Sequence, residues 1–453
     1  MTTTLIRNAR VLATMDNGDR EIANGGMFIR DGFIEQVGET KALPQEADEI
    51  IDLSRHIVLP GFINTHHHLF QTLDRAWPPS QNGNLVQWLT GLYPRWSEIP
   101  PEHYTTATEL GLAEIALSGC TTVADHHYLW PTGVTAQAQF DTASTIGVRF
   151  HLGRGSQNIG QPQGGFAPAA LIEEDDDILA DTDAVIDRFH DASPGSFRQV
   201  FVAPSSIRSV TAQLLSRSAE LADKRGVQMH FHLAETAPEI GFSMEKYGKR
   251  PAEFADDIGC LRPNTWLAHG VHFNDSDTSI LARCGCGICH CPSSNMRLSS
   301  GIPPVSRYIK GGVTVGLGAD GSASNDSSNM LIEIRTALLL SRVTAASADD
   351  FLTARTVLKM ATRNGARLLG RNDIGCLAPG YAADFIAIDT DRIEIAGAED
   401  PLAAIVFCAL TRVDHSFVHG KPLIRNGRFL SYDLDGLIER LRSRPGAGRG
   451  ARP

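Results

Sequence analysis

The sequence contains no uninterrupted run of about 18 apolar residues, the length at which a membrane-spanning helix becomes a candidate. Its first residues, MTTTLIRNARVLATMD, also lack the basic segment followed by an apolar core that marks a secretory signal. These two absences argue against a membrane partner. We therefore expect a cytoplasmic protein.

Positive charge and cysteine are both scarce. The chain has 41 Lys and Arg residues against 52 Asp and Glu residues, a formal net charge of -11 at pH 7. Because nucleic-acid-binding surfaces are basic, we expect no nucleic-acid partner. In an intracellular chain of 453 residues, the 8 cysteines are expected to be reduced thiols and not a disulfide framework.

Half of these cysteines fall in one stretch, residues 284–291, which has the sequence CGCGICHC. The two-residue gap between Cys286 and Cys289 is the spacing of a zinc knuckle or an iron–sulfur loop. If the stretch is extended from its first residue, however, two cysteines lie on each face, and thiolates on opposite faces cannot surround one ion. We expect small buried thiols here, while a turn at either glycine would restore the alternative of a cysteine-bound metal.

The middle of the chain repeats one pattern, a short apolar run with a polar end followed by a longer segment of helical period. This pattern is typical of βα units. Eight such runs begin at Phe62, Thr121, Val148, Val200, Val227, Thr265, Gly287 and Val313. Eight units predict an α/β fold of the (β/α)8 TIM barrel type.

The two ends of the chain have a different texture, with short strands separated by glycine-containing turns. Neither end is long enough to bury a core alone. We therefore predict that residues 1–58 and 380–442 form one small composite β-sandwich, and that residues 59–379 form the barrel. Residues 443–453 are mostly Gly, Pro, Ala and Arg and are expected to be a disordered tail.

Polar residues at the carboxyl ends of the barrel strands are the candidates for chemistry. His66 and His68 lie two residues apart in the first run, so both can point into the barrel. Other runs end in residues that can join them: His232 with Glu235, His269, and Asp320. A histidine at one strand end is more often a structural residue, but four such ends together favour a site for zinc or ferrous iron.

Four segments, LPGFINTHHHLFQ, HFHLAET, LAHGVHF and GLGADGSASND, resemble motifs of the amidohydrolase superfamily, in the branch that deaminates nitrogen heterocycles. The resemblance extends over nearly the whole chain. It implies that His66, His68, His232 and Asp320 are metal ligands. Some members of the superfamily bridge two metals with a carboxylated lysine on the fourth strand. Here that strand, VFVAPSS, has no lysine, so one divalent ion is expected, zinc first and ferrous iron as the alternative.

The same resemblance implies the catalytic groups. The bound ion would lower the pKa of a water toward neutrality, and Asp320 would take its proton. Glu235 would pass a proton to the ring nitrogen, and His269 would hydrogen-bond the attacking oxygen. Ammonia would leave with a proton from Asp320.

Within the branch, the motifs are most similar to those of 8-oxoguanine deaminases, which implies conversion of 8-oxoguanine to urate plus ammonia. The alternatives are deamination of an isoxanthopterin-like pterin or hydrolysis of a hydroxy-s-triazine. An inactive scaffold or a cysteine-cluster redox protein would be the non-enzymatic alternatives. The partner is then a small heterocyclic substrate, and the family resemblance adds the expectation of a homo-oligomer.

Five residues are predicted to contact that substrate. Gln71 offers the donor and acceptor of an amide, Arg154 could clamp a carbonyl oxygen, and Trp88 could cover a flat ring. The family motif PCSPFSV is replaced here by PSSIRSV, which puts Ser205 in place of a thiol and Arg208 in place of an aromatic residue. We expect these two changes to adjust the pocket toward a more oxidised or more anionic heterocycle.

Overall fold

The computed structural model describes residues 2–443, so the predicted disordered tail lies, except for its first residue, outside the described residues. The chain begins with five strands: β1 (Thr3–Ala13), β2 (Glu21–Arg30), β3 (Phe33–Glu39), β4 (Glu49–Asp52) and β5 (His56–Pro60). β1 pairs antiparallel with β2 and parallel with β4 and β5. The apolar side chains of this layer form a core of their own, separate from the larger core of the protein.

A second sheet of eight parallel strands, counted over residues 2–443, follows in chain order. The strands are β6 (Phe62–Asn64), β7 (Cys120–His127), β8 (Arg149–Ser156), β9 (Arg198–Pro204), β10 (Met229–Leu233), β11 (Thr265–His269), β12 (Gly287–His290) and β13 (Val315–Leu317). The N–H of Thr65 donates to the carbonyl of Leu317 at 3.0 Å, which joins the last strand to the end of the first. The predicted (β/α)8 barrel is confirmed, and each predicted run overlaps one of its strands.

Helices cover the outside of the barrel and fill the connections. They are α1 (Leu85–Trp96), α2 (Pro101–Leu117), α3 (Ala136–Ile146), α4 (Asp175–Phe189), α5 (Ala212–Arg225), α6 (Ala237–Tyr247), α7 (Pro251–Asp257), α8 (Asp275–Cys284), α9 (Pro292–Arg297), α10 (Val305–Lys310), α11 (Ser322–Asn325), α12 (Met330–Thr344), α13 (Ala354–Met360) and α14 (Arg363–Leu368). α5 shows why they form. The Thr211 side chain caps its first turn, Gly226 ends it with φ 64°, and the face between them buries Leu214 and Leu215.

The chain then returns to the first sheet. α15 (Pro401–Phe407) and α16 (Leu434–Arg442) accompany the last strands, which are β14 (Phe385–Asp389), β15 (His415–Val418), β16 (Lys421–Arg425) and β17 (Arg428–Phe429). β14 pairs antiparallel with β5, and the rings of Phe385 and Phe417 stack at 4.2 Å. The two ends of the chain therefore share one sheet. The domain boundaries at residues 58 and 380 stay a prediction.

A buried ion pair ties this terminal sheet to the barrel. The Arg149 guanidinium on β8 donates to both carboxylate oxygens of Asp384, at 2.6 and 2.9 Å, and to the carbonyls of Gly195 and Ser196. Both charged side chains are buried.

We expect Arg149→Met to lower the free energy of unfolding by about 3–5 kcal/mol, because Asp384 would stay buried without its counter-charge. Urea titration followed by circular dichroism measures this loss. Arg217→Met is the matched control, since the Arg217 pair with Asp176 is exposed and such pairs contribute about 0–1 kcal/mol. Equal losses in the two variants would contradict the assignment.

Candidate active site

A cavity opens at the carboxyl ends of the barrel strands. Its inner end is formed by His68, His232, Glu235, His269 and Asp320, which all come from strand ends. Aromatic and apolar side chains of α1 and of the connecting loops form the rest of the wall. The residues predicted from the strand ends are thus brought together at one mouth.

Three positions at this mouth have left-handed backbone without being glycine: Ala234 with φ 55°, His269 with φ 71° and Asp320 with φ 60°. Such a conformation costs about 1–3 kcal/mol for a residue with a side chain. It turns the backbone sharply where each strand ends, and it accompanies the convergence of the neighbouring side chains. Strain of this kind is typical of functional sites.

Hydrogen bonds fix the tautomers of two imidazoles in the cluster. His68 Nδ1 lies 2.7 Å from the His126 carbonyl, and His232 Nδ1 lies 2.7 Å from the Ser205 carbonyl. A carbonyl can only accept, so both Nδ1 atoms carry the proton and both Nε2 atoms carry a lone pair. These Nε2 atoms lie 3.1 Å apart. Two lone pairs at that distance repel each other unless a cation lies between them.

His66 is fixed in the same way through a second imidazole. His230 Nδ1 donates to the Trp266 carbonyl at 2.7 Å, so His230 Nε2 must accept from His66 Nδ1, also at 2.7 Å. Burial lowers the pKa of His66 and His230 well below the usual histidine range and that of His68 to about 3, so these rings are neutral. His66 Nε2 is therefore a third lone pair facing the cluster.

Asp320 completes the set. Its Oδ1 lies 3.2 Å from Nε2 of both His66 and His68, and its Oδ2 accepts from the hydroxyls of Ser294 at 2.5 Å and Ser324 at 3.0 Å. His66 Nε2 and Asp320 Oδ1 are buried without a hydrogen-bond partner. Nitrogen lone pairs and a carboxylate oxygen with no donor between them fit a borderline divalent cation.

One member of this cluster was missed by the sequence reasoning. A ring nitrogen of His126 lies within 4.8 Å of the ligand atoms of His66, His68 and His232. His126 Nε2 donates to the Ala203 carbonyl at 2.9 Å, and its Nδ1 has no partner. The signal was present, because the second predicted strand also ends in two histidines.

His230 positions His66, and its substitution tests the cluster without removing a candidate ligand. We expect His230→Gln to weaken metal affinity about 10- to 100-fold, the usual effect of losing a residue that orients a ligand. Competition with a chelator measures the affinity. His190→Gln is the control, since His190 also holds a backbone carbonyl but lies away from the mouth. A normal affinity in His230→Gln would exclude the positioning role.

Glu235 and His269 lie side by side, with Oε2 of the carboxyl 3.9 Å from Nε2 of the ring. Burial raises the pKa of Glu235 to about 7, and the Asp320 charge adds to the rise while His232 opposes it. Asn295 accepts from His269 Nδ1 at 2.9 Å, which orients the ring. Glu235 is therefore a buried carboxyl able to hold or release a proton near neutral pH.

Glu239 in the first turn of α6 supports this geometry. Its two carboxylate oxygens accept the backbone N–H groups of Ala234, at 2.8 Å, and Glu235, at 3.0 Å. These bonds hold the strained turn between His232 and Glu235. The sequence pattern alone gave no reason to pair residues of the strand end with a helix that follows them.

The predicted substrate-contacting residues fall in two groups. Trp88, Ser205 and Arg208 line the cavity, and the Trp88 indole donates to the Ala323 carbonyl at 2.9 Å. Gln71 lies behind the wall, where its Nε2 donates to the hydroxyl of the cavity residue Tyr128 at 3.0 Å. Its Oε1 is buried without a partner.

The structure places Arg154 differently from the prediction. Its guanidinium donates to Glu173 at 2.5 and 2.9 Å and to Asp181 at 2.7 Å, and it does not line the cavity. The carboxylates that hold it lie far along the chain, so its strand-end position alone did not reveal them.

The cysteine-rich stretch does not continue as one strand. α8 ends at Cys284, Gly285 turns the chain with φ 70°, and β12 begins at Gly287. The condition of one extended run from Cys284 is therefore not met, whereas the strand predicted from Gly287 begins at that residue. Cys289 Sγ and Cys291 Sγ lie 3.7 Å apart in an apolar cluster, and the metal-capable groups found among residues 2–443 contain no cysteine.

Comparison with known proteins decides the family. The model of the amidohydrolase family matches residues 57–423. The chain belongs to the amidohydrolase family. Over 98% of its length it is 44% identical to the 8-oxoguanine deaminase of Pseudomonas aeruginosa, covering 98% of that protein. It is 35% identical to the hydroxydechloroatrazine ethylaminohydrolase of a Pseudomonas species, over 96% of this chain and 93% of that one.

Among solved structures, the zinc complex of an atrazine chlorohydrolase from Arthrobacter aurescens superposes with a TM-score of 0.92 at 30% identity, over 96% of this amidohydrolase and 98% of that chain. The protein is accordingly an enzyme, a hydrolase acting on C–N bonds. Over residues 2–443, this amidohydrolase has no helix long and apolar enough to cross a membrane.

Proposed function

We propose that the enzyme deaminates an amino-substituted oxo-purine, converting 8-oxoguanine and water to urate and ammonia. The observation that carries the proposal is the 44% identity to an 8-oxoguanine deaminase over 98% of the chain. The buried carboxyl of Glu235 and the lone pairs of the neighbouring histidines and Asp320 are the groups that such a reaction needs.

His66, His68, His232 and Asp320 would hold the ion, since their free atoms converge without a donor among them. Zinc is the proposed ion and ferrous iron the alternative, because imidazole nitrogen suits both. One ion is proposed, since β9 carries no lysine that could bridge a second. A divalent ion bound there would supply Lewis acidity, which lowers the pKa of a water toward neutrality.

The residues then move protons in a defined order. Asp320 Oδ1 accepts a proton from water as its oxygen adds to the amino-bearing carbon, and the Glu235 carboxyl protonates the adjacent ring nitrogen. His269 hydrogen-bonds the added oxygen. Asp320 gives its proton to the amine as the C–N bond breaks. Glu235 recovers a proton from the new hydroxyl as the carbonyl forms, so ammonia leaves and the carboxyl is restored.

The rest of the cavity would hold the flat ring. Trp88 is fixed by its indole hydrogen bond and offers an aromatic face, and Tyr128 is fixed by Gln71. Such rigid aromatic walls bind planar heterocycles with little loss of side-chain freedom. Arg154 is held by carboxylates and is given no role in this proposal.

The pH profile tests the state of Glu235. Its pKa is raised from 4.5 to about 7, so the protonated carboxyl is present below pH 7 and is lost as the pH rises through that value. If the proton of Glu235 is needed, kcat/KM should fall on the alkaline side of about pH 7. Ammonia release measured across the pH range in overlapping buffers gives the profile. A rate that rises continuously with pH would argue against an acid role.

A substrate panel tests the activity itself. Ammonia release would be measured from 8-oxoguanine, guanine, isoxanthopterin and a hydroxy-s-triazine, using protein of known metal content. The highest kcat/KM is expected for 8-oxoguanine. Preference for the triazine would favour the second candidate, which the structural likeness to an atrazine chlorohydrolase supports. No release from any purine would refute the proposal.

A further inference from the structure

Arg208 occupies an unusual position in the wall of the cavity. It lies on the loop after β9, and its guanidinium carbon is 4.6 Å from the ring centroid of Phe166 and 5.1 Å from that of Phe242. Two aromatic rings against a guanidinium restrict its movement and stabilise its charge. Arg208 is therefore held in place without the help of an anion.

The fully buried arginines are neutralised by carboxylates. They form the pairs Arg149–Asp384, Arg154–Glu173 and Arg371–Asp373. In the part of the chain that the structure describes, Arg208 forms no ion pair and no side-chain hydrogen bond. A half-buried guanidinium without a partner is costly unless a ligand supplies one.

Glu239 is the carboxyl group that acts on the charge of Arg208, but the two side chains form no ion pair in the described residues. Its two oxygens accept backbone N–H groups from Ala234 and Glu235, which holds Glu239 against the turn that carries Glu235. The donors of Arg208 are thus left for a molecule in the cavity. Phe166 belongs to the loop before α4 and Phe242 to α6, whereas the groups that act on the amino-bearing carbon come from the strand ends.

We propose that Arg208 binds the oxo group on the ring remote from the leaving amine and selects heterocycles that carry such an oxygen. This inference rests on the proposed function and names its substrate class: amino-heterocycles whose second ring is oxidised. The oxygen accepts a charge-assisted hydrogen bond from the guanidinium. A ring without that oxygen leaves the guanidinium unpaired, and sites built for a hydrogen bond discriminate strongly against such analogues.

The test compares molecules that differ at the second ring, where 8-oxoguanine and urate carry an oxo group and one more ring N–H than guanine and xanthine. 8-Oxoguanine and guanine are the substrate pair, and their products urate and xanthine are the binding pair. In the metal-loaded full-length enzyme, Arg208→Met should lower the ratio of kcat/KM for 8-oxoguanine to kcat/KM for guanine about 10- to 100-fold. Arg208→Lys, which keeps the charge but loses the planar fork, should recover part of the loss.

Calorimetric titration with the two products gives a second readout that needs no turnover. Urate is an anion at neutral pH and xanthine is largely neutral, so Arg208→Lys, which keeps the charge, separates charge from recognition of the oxygen. Wild-type enzyme should bind urate at least about 10-fold more tightly than xanthine, and both Arg208→Met and Arg208→Lys should reduce this difference. Arg217→Met, a surface substitution on α5, should keep it. Metal content and circular dichroism establish that each variant is folded.

The outcomes separate the two proposals. If no heterocycle releases ammonia but urate is still preferred through Arg208, the proposed function fails and the subsite stands. If 8-oxoguanine is deaminated but Arg208→Met keeps the wild-type preference, the subsite proposal is overturned and the activity stands. Equal binding of urate and xanthine by the wild type would also overturn it.

Discussion

Glu235→Gln is expected to reduce ammonia release about 10²- to 10⁴-fold, the contribution of a positioned proton donor or acceptor, while the enzyme keeps its metal. Gln has nearly the same shape and can still accept from Ser300, whose hydroxyl lies 3.3 Å from Oε1. It cannot deliver a proton to the ring nitrogen. The loss should appear in kcat, because substrate binding does not require that proton to move.

The measurements for Glu235→Gln are steady-state ammonia release and metal content per chain. Glu220→Gln, on the outer helix α5, is the matched control and should have normal activity. If Glu235→Gln loses metal in proportion to activity, the carboxyl acts on the ion site and not on the substrate. The variant should also lack the alkaline fall in kcat/KM, since its side chain does not titrate.

Much of this active site follows from the sequence because a parallel barrel places its strand ends at one face. Strand ends can be recognised from short apolar runs, so His66, His232 and Asp320 could be assigned to one mouth before any contact was known. The tautomers of the histidines could not be assigned from the sequence. They depend on backbone carbonyl groups and on His230, whose hydrogen bond to the Trp266 carbonyl exists only when the neighbouring strands are in register.

The predictions that differed from the structure share a physical cause. Arg154 was assigned to the substrate because it ends a strand, yet Glu173 and Asp181 from the following segment hold it. An extended run from Cys284 was one of two conditions considered for the cysteines, and the structure has the other, a left-handed turn at Gly285 that ends a helix. In each case a local pattern was overridden by a partner or a backbone conformation that sequence spacing does not specify.

Asp320→Asn should abolish metal binding and reduce ammonia release by more than about 10⁴-fold, because one residue both completes the cage and relays a proton. The amide oxygen can still accept from Ser294 and Ser324. Its NH₂ group then faces Nε2 of His66 and His68, which lie 3.2 Å from Oδ1 in the native enzyme. A donor would replace the acceptor, and the lone pairs that the cation needs would be satisfied by the protein itself.

Replacing this acceptor by a donor should also change thermal stability. In the metal-free wild type, the lone pairs of the imidazoles and of Asp320 face one another, whereas Asp320→Asn places a donor between them. The metal-free variant should therefore melt at a higher temperature than the metal-free wild type. With zinc the order should reverse, since only the wild type gains binding energy.

Thermal denaturation with and without chelator, together with metal analysis, measures both effects. Asp326→Asn, in the same loop but paired with Arg297, is the control. If metal-free Asp320→Asn is no more stable than the metal-free wild type, the imidazoles do not have the tautomers that place three lone pairs at the centre of the barrel mouth.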